Sequence, residues 1–507
     1  MPVLAGTSRG RRSPATPAQS TDLGGAPLDD AGQLAVESGV VKRRPYTMKL
    51  PVVFLSALLA AAPALAAAYR AGNAAELARL TPKLQPGDAV VLADGTWQDQ
   101  ALVFRAHGTE EKPITLRAAT PGQVVLAGKS TLVIDGDWLV VSGLLVKNGD
   151  GPAEGIAIKG SHNRLTESAM VGGTYKHFLR LWGTDSRVDH CYFAGKTSGE
   201  PTFQVEVAEA TPNRHRVDHN HFGPRPPLGR NGGETMRLGY SGQSMWNSRT
   251  LVEQNLFDRC DGEIEIISSK SCENIYRENT FLDCAGMLTL RHGNRCVIDG
   301  NFFLGHHKKG SGGIRIIGED HVLVNNYIEG VENGAFWITS GVPHSQLVQY
   351  FQARRCTIAF NTVVDSKGPY VDLDAGIGGS GRLLRPAEIT VANNLFAVPP
   401  GGTLFKGTEG EYWRWMGNLS SGAPAGHAGA KVADLKFTRS ADGLLRPAAD
   451  SPARGSAEGN FPVVKNDIDG QPRPGEKLDA GCDQSSTAPI ANRPLAAADV
   501  GPGWLKR

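Results

Sequence analysis

The chain has 507 residues, 40% hydrophobic and 21% charged, enough apolar material for the core of one large domain or two to three ordinary ones. Its net charge of +2 is placed unevenly: residues 1–66 carry seven Lys and Arg against four Asp and Glu, leaving 46 basic against 47 acidic side chains beyond them. That balance supplies no long-range pull on a polyanion and excludes nucleic-acid binding by bulk charge, so an anionic partner must meet a local basic patch.

Residues 1–47 are polar, rich in Pro, Gly and Ser, and without periodicity; they read as disordered or as the product of a mis-called start. Lys42, Arg43 and Arg44 precede Met48-Lys49 and an apolar run from Leu50 to Ala62, and Ala64-Leu65-Ala66 fits a small-residue cleavage site. Residues 48–66 are therefore expected to be a signal peptide. A membrane anchor fits less well, because the run is Ala-rich and flanked or broken by Pro51 and Pro63. The mature chain is expected in the periplasm or outside the cell, with no membrane association after cleavage.

Asn73 to Leu80 fits a short amphipathic cap helix. Strands follow over 88–97, 112–118, 122–128 and 137–148, all β-branched and closed by Gly, Asp or Asn. From about residue 185 the chain repeats itself. H-N-H-F, Q-N-L-F, E-N-T-F, G-N-F-F, N-N-Y-I, F-N-T-V and N-N-L-F place Asn at 220, 255, 279, 301, 326, 361 and 394, with gaps of 35, 24, 22, 25, 35 and 33. A base period near 24 with insertions of about ten is the mark of a solenoid, and repeats of short strands without helix make it a parallel β-helix. A β-sandwich has similar strand spacing but gives Asn no reason to recur at coil length. The fold class is thus all-β, a single-domain parallel β-helix over 67–486 with an N-terminal cap and loop insertions, followed by a C-terminal tail over 487–507. A monomer is expected.

The longest insertion, near 340–356, carries Tyr350, Arg354 and Arg355 and is placed to overhang a groove; the stretches 467–474 and 479–484 read as a final coil and closing turns. Of the seven cysteines, four recur every 12 residues from Cys260 to Cys296, without CxxC or Cys/His zinc spacing. In the 24-residue register Cys260 lies over Cys284 and Cys272 over Cys296, as buried, stacked thiols.

The chemistry concentrates between 231 and 294: N-G-G-E-T-M-R-L-G, then D-G-E-I-E-I-I-S-S-K-S, then L-T-L-R-H-G-N. Strand alternation puts Glu263 and Glu265 on one face and Ile264 and Ile266 in the core. The same register sets Glu265 over Thr289, Arg315 over Thr289 and Glu234 opposite Glu263. One face then gathers Glu234, Glu263, Glu265, Lys270, Arg291, His292 and Arg315, with Asn231 at its edge. An amide oxygen and two carboxylates are a hard-oxygen set suited to Ca²⁺. A salt-bridge ladder accounts for the residues singly, but Glu263 beside Glu265 repels unless a cation sits between them. His292 alone is compatible with a supporting position or a substrate contact as readily as with catalysis.

These three blocks resemble the signature blocks of polysaccharide lyase family 6, the alginate lyases and chondroitinase B, and the likeness extends from about Asp88 to Gln484. The resemblance implies a right-handed parallel β-helix, a calcium cofactor held by Asn231, Glu263 and Glu265 with Glu234 beside them, Lys270 as general base and Arg291 as general acid. It implies Arg315 as the arginine for the substrate carboxylate, and His292 is grouped with it as substrate-binding. The implied partner is an anionic uronic-acid polysaccharide, with alginate preferred because no further basic cluster offers itself for sulfates; a dermatan sulfate lyase is the alternative. A pectinase-like hydrolase would need acid pairs without the Lys, and a non-catalytic β-helix adhesin would line its groove with aromatics.

Overall fold

The repeating Asn units become corners. Each ladder asparagine is preceded by a residue with left-handed backbone: His219, Gln254, Glu278, Gly300, Asn325, Phe360 and Asn393 have φ between 50° and 64°. That conformation turns the chain sharply between two short strands, and the asparagine after it points into the core. The computed structural model describes residues 66–422, 428–473, 475 and 477–505. The expected leader and the segment before it therefore lie outside the described residues, save Ala66.

Repeated corners wind the strands into three parallel sheets of 14, 12 and 14 strands, each strand between the two ends hydrogen-bonded to its counterpart one coil before and one coil after. This is the right-handed parallel β-helix, and it excludes the sandwich: the antiparallel pair among the described strands is the small ribbon of Phe437–Arg439 with Leu445–Pro447. The strands Ala101–His107 and Thr131–Asp137 escaped the sequence reading. The cap helix is Ala74–Leu80, with Asn73 Oδ1 accepting from the Glu76 N–H at 2.9 Å and Leu77 buried. No helix among the described residues is long and apolar enough to cross a membrane.

Inside, like stacks on like. Asn220, Asn255, Asn279, Asn301, Asn326, Asn361 and Asn394 form a continuous ladder, each Nδ2 donating to the next Oδ1 at 2.9–3.0 Å, and Asn418 extends it. Each amide also donates to a backbone carbonyl of the coil before, as Asn279 does to Val252 at 2.9 Å. A buried amide with all its partners present is tolerated where an unpaired one costs about 1–3 kcal/mol. Beside the ladder, Phe193, Phe222, Phe257, Phe281 and Phe303 stack with centroids 4.5–5.3 Å apart.

The cysteines follow this logic in part. All seven are free and buried, and Cys260 N–H donates to Cys284 Sγ at 3.3 Å, as the register expects. Cys272, however, lies over Asn294, whose N–H donates to its sulfur at 3.3 Å, and not over Cys296. The coil here is 22 residues long, so a 24-residue rule misplaces it. Cys296 belongs to a second inward column with Asn274 and His321, set by the pairing of Ile275 with Val297 and of Val297 with Val322.

His321 in that column carries a measurable pH signature. Its Nδ1 accepts from the Cys296 N–H and its Nε2 donates to the Ile317 carbonyl, both at 3.1 Å, so the ring is held neutral. Burial pushes its pKa down to about 4. The unfolded chain takes up this proton first, so the contribution is intact above the ordinary pKa of 6.5 and is lost as pH falls toward 4. His321→Asn, which installs the residue found at position 274, should shrink the stability lost between pH 8 and pH 5 by about 2 kcal/mol at about 1.4 kcal/mol per pKa unit. Chemical unfolding at both pH values measures this; an unchanged difference would refute it.

Beyond residue 400 the expected final coil is not a coil. The segment around 466–484 folds back along the flank, with Arg473 Nη2 donating to Asn325 Oδ1 at 3.2 Å and Cys482 N–H to Thr362 Oγ1 at 3.0 Å. The tail continues toward the N-terminal coils: Leu495 N–H reaches Thr280 Oγ1, Gly501 N–H reaches the His219 carbonyl, and Trp504 Nε1 donates to the Glu167 carbonyl at 2.7 Å.

Candidate active site

The 12-stranded sheet carries the site. Strands Met236–Leu238, Glu265–Lys270, Met287–His292 and Ile314–Ile316 lie side by side, and their pairings line up Gln204, Arg237, Ser268, Thr289, Arg315 and Trp337 in one outward column. Arg315 sits over Thr289 as the spacing predicts. Glu265 does not: it pairs with Met287, and register shifts flank Ile267 and Ser269. These bulges set two residues against one, swinging the carboxylates together where an ideal strand would hold them in line. Glu263 precedes the strand. Ile264, expected in the core, is 40% exposed, while Ile266 is buried. Strict alternation fails because the strand has not yet begun at 264.

Glu234, Glu263 and Glu265 each offer a carboxylate oxygen within 4.8 Å of the others. Glu234 comes from the preceding coil, where Gly233 packs against Gly262 and the backbone of Glu263, and all three carboxylates converge. Glu234 Oε2 and Glu263 Oε1 are buried without a hydrogen-bond partner. Burial first, then Glu234 and Glu265, push the Glu263 carboxyl up to about 7. Asn231 occupies the exposed turn before Gly232, whose N–H bonds Glu263.

The cations stand around this cluster. Arg291 Nε and Arg315 Nη1 are both 3.7 Å from Glu265 Oε1, and Ser268 Oγ donates to its other oxygen at 2.5 Å. Lys270 is half-buried; burial lowers its pKa, Arg237 and Arg291 lower it further, and Glu265 and Glu234 oppose them. Burial likewise lowers Arg291, against the pull of Glu265 and Tyr350.

Two features went unseen in the sequence. Arg237, in the middle of M-R-L, bridges Glu200 at 2.9 Å and approaches Glu234 at 3.6 Å. Tyr350 does overhang the groove, as expected of its insertion, but its partners were unforeseen: the guanidinium groups of Arg291, Arg382 and Arg315 lie 4.2, 4.6 and 5.5 Å from its ring. Burial pushes the Tyr350 phenol up, and the arginines more than offset this, leaving it below the usual tyrosine value. Arg354 and Arg355 stay out of the groove, paired with Glu388 and with Glu319 and Asp320. His292 lies among the site groups, its ring next to the Arg291 guanidinium. It is fully buried, 3.1 Å from Ser241 Oγ, with burial and then Arg291 and Lys270 holding its pKa down to about 3. The register shift between Ser269 and Lys270 breaks the alternation here: it pairs Lys270 with His292, and Arg291 Nη1 lies 3.3 Å from His292 Nε2, so the buried ring packs directly beside the Arg291 guanidinium.

The Chondroitinase B family pattern matches residues 71–410. No curated protein matches. Among solved structures, the PL6 family alginate lyase AlyGC is similar at 33% identity and a TM-score of 0.76, over 87% of this chain and 59% of its own, so the chain spans 59% of that relative's length. A mannuronic acid specific family 6 lyase from human gut microbiota is 32% identical with a TM-score of 0.62, over 73% of this chain and 87% of its own. The lyase Pedsa3628 from Pseudopedobacter saltans shares the fold at 24% identity and a TM-score of 0.68, over 86% of this chain and 100% of its own. The chain belongs to the chondroitinase B family, polysaccharide lyase family 6.

Proposed function

We propose that the protein is a calcium-dependent lyase that cleaves alginate by β-elimination. The observation that carries this reading is the convergence of Glu234, Glu263 and Glu265 beside a half-buried Lys270 and two arginines on one face of the helix. The carboxylates fit a Ca²⁺ ion: they are hard oxygen donors, two of their oxygens are buried and unpartnered, and Arg291 and Arg315 stop short of hydrogen-bond distance. Glu234, Glu263 and Glu265 would hold the ion, with Asn231 at the rim. Bound there, calcium would neutralise the uronate carboxylate and so acidify the C5 proton.

The chain's own groups supply the rest. Lys270, its pKa lowered by burial and by neighbouring cations, is suited to take the C5 proton. The electron pair of that C–H bond becomes the C4–C5 double bond, and the C4–oxygen bond breaks. Arg291 faces the leaving oxygen, stabilises its charge and delivers its proton, directly or through water. Arg315 pairs with a uronate carboxylate by its fork of N–H donors. Alginate is supported by the two relatives above 30% identity, described as an alginate lyase and a mannuronate-specific lyase. The leader expected over 48–66 fits a periplasmic or secreted enzyme acting on such a polymer.

The test is incubation with alginate and, separately, dermatan sulfate, following ultraviolet absorbance of unsaturated ends. Alginate should be cleaved; cleavage of dermatan sulfate alone would reverse the substrate. Chelation should abolish turnover and Ca²⁺ restore it, and full activity in a thoroughly chelated sample would sink the calcium reading.

A further inference from the structure

Beneath the carboxylate cluster, on the side away from the groove, lies Arg225, 3% exposed. Its acceptors are four backbone carbonyls and one hydroxyl. Nη1 donates to Thr202 Oγ1 at 2.9 Å and to the Glu234 carbonyl; Nη2 donates to the carbonyls of Glu200 at 2.9 Å and of Ser198 and Gly232 at 3.2 Å. Its stem runs under Gly262, where an added Cβ would come within 2.8 Å of Arg225 Nε. Its backbone pairs into the strand end that leads to Glu263, the Asp261 N–H donating to its carbonyl at 2.9 Å. One side chain therefore touches the main chain of every loop that brings a carboxylate to the cluster or to its Arg237 partner.

A buried guanidinium costs several kcal/mol in desolvation unless opposite charge or hydrogen bonds offset it. Burial pushes Arg225 down to about 10, and Glu234 and Glu263 are among the groups pulling it back up. The nearby Lys196, 1% exposed, ties down the same turn by donating to the carbonyls of Ser198, Gly199 and Glu200 at 2.5–2.9 Å. Glu200 in turn anchors Arg237.

We propose that Arg225 is the positioning residue of the carboxylate cluster, fixing the spacing of Glu234 and Glu263 through their backbones and opposing their charge from behind. Lysine cannot replace it, because a single ammonium with three donors does not reach acceptors on both sides of a planar fork. The metal arm of the test rests on the calcium reading above; the electrostatic arm does not.

Arg225→Lys and Arg225→Met are to be made in the full chain. Calorimetric titration with Ca²⁺ should show the dissociation constant raised roughly 10–100-fold in Arg225→Lys, the range for residues that orient metal ligands. In chelator, unfolding of wild type, Arg225→Met, Glu263→Gln and the double variant forms a cycle. Arg225→Met should destabilise less when Glu263 has already lost its charge, since a purely mechanical tie would act equally in both backgrounds. Unchanged Ca²⁺ affinity in folded Arg225→Lys, or strict additivity in the cycle, overturns the proposal. Should Arg225→Met not fold, Arg225→Lys carries the decision through its affinity. A wild type that binds no Ca²⁺ sinks the calcium reading instead, and the cycle in chelator still judges Arg225.

Discussion

Lys270→Ala is expected to lose roughly 10²–10⁴-fold in turnover on alginate, the usual contribution of a general base, while binding substrate and keeping its fold. Lys270 sits at the end of Glu265–Lys270 among Arg237, Arg291 and the carboxylates. The two arginines beside it stay protonated, so neither can take over as base. Arg291→Ala should also be slow, but for another reason, and the two separate on a substrate with a better leaving group at C4. Such a substrate needs less help at the leaving oxygen, so it should partly rescue Arg291→Ala and should not rescue Lys270→Ala to a similar degree. Equal rescue would mean the roles are wrong, and rescue of Lys270→Ala alone would mean they are exchanged. The pH profile gives a second reading. Because the base must be neutral, activity should rise with pH through a pKa below that of an ordinary lysine, and Arg237→Met, by removing a like charge, should move that limb to higher pH.

The ladder asparagines were legible because each sits at a corner whose geometry repeats once per coil, and a residue that satisfies itself against its own copy must recur at coil length. The carboxylates, Lys270 and Arg291 were legible because three short blocks carry them on neighbouring strands. Register was not. A mean period of 24 averages over coils of different length, and where the coil is 22 residues long it slid Cys272 and Glu265 onto the wrong partners. The bulges near Ile267 and Ser269 are tertiary adjustments with no local signature. His292 was grouped with Arg291 by adjacency, and the bulge that pairs Lys270 with His292 keeps the two side chains in contact. Arg225 and Arg237 were invisible for a different reason. Arg225 lies in a Pro-rich stretch, and what makes it informative is the set of carbonyls from distant loops that fold around it.

The carboxylate cluster yields a prediction in which stability changes sign. Glu263 shares a space of 4.8 Å with oxygens of Glu234 and Glu265, and one of its own oxygens is buried without a partner. Burial and the two neighbouring acids raise its pKa to about 7 from an ordinary 4.5. The folded state thus holds this proton more tightly than the unfolded one, so the site favours folding at low pH and loses that advantage as pH rises through 7. At pH 8, in chelator, the ionised Glu263 works against the fold. Glu263→Gln keeps the shape and removes the charge, so without metal it should unfold at a higher temperature than wild type. Added Ca²⁺ should reverse the order. Wild type gains about 2.7 kcal/mol at an ion concentration a hundredfold above the dissociation constant, and the variant, having lost a charged ligand, gains far less and turns over no alginate. A salt-bridge ladder predicts something else: Glu263→Gln would weaken the pairing of acids with Arg237, Arg291 and Arg315 and lower stability with or without the ion. Thermal unfolding of both proteins at pH 8, in chelator and in excess Ca²⁺, decides between them, and a variant less stable than wild type in chelator would rule out a cluster held apart for a cation.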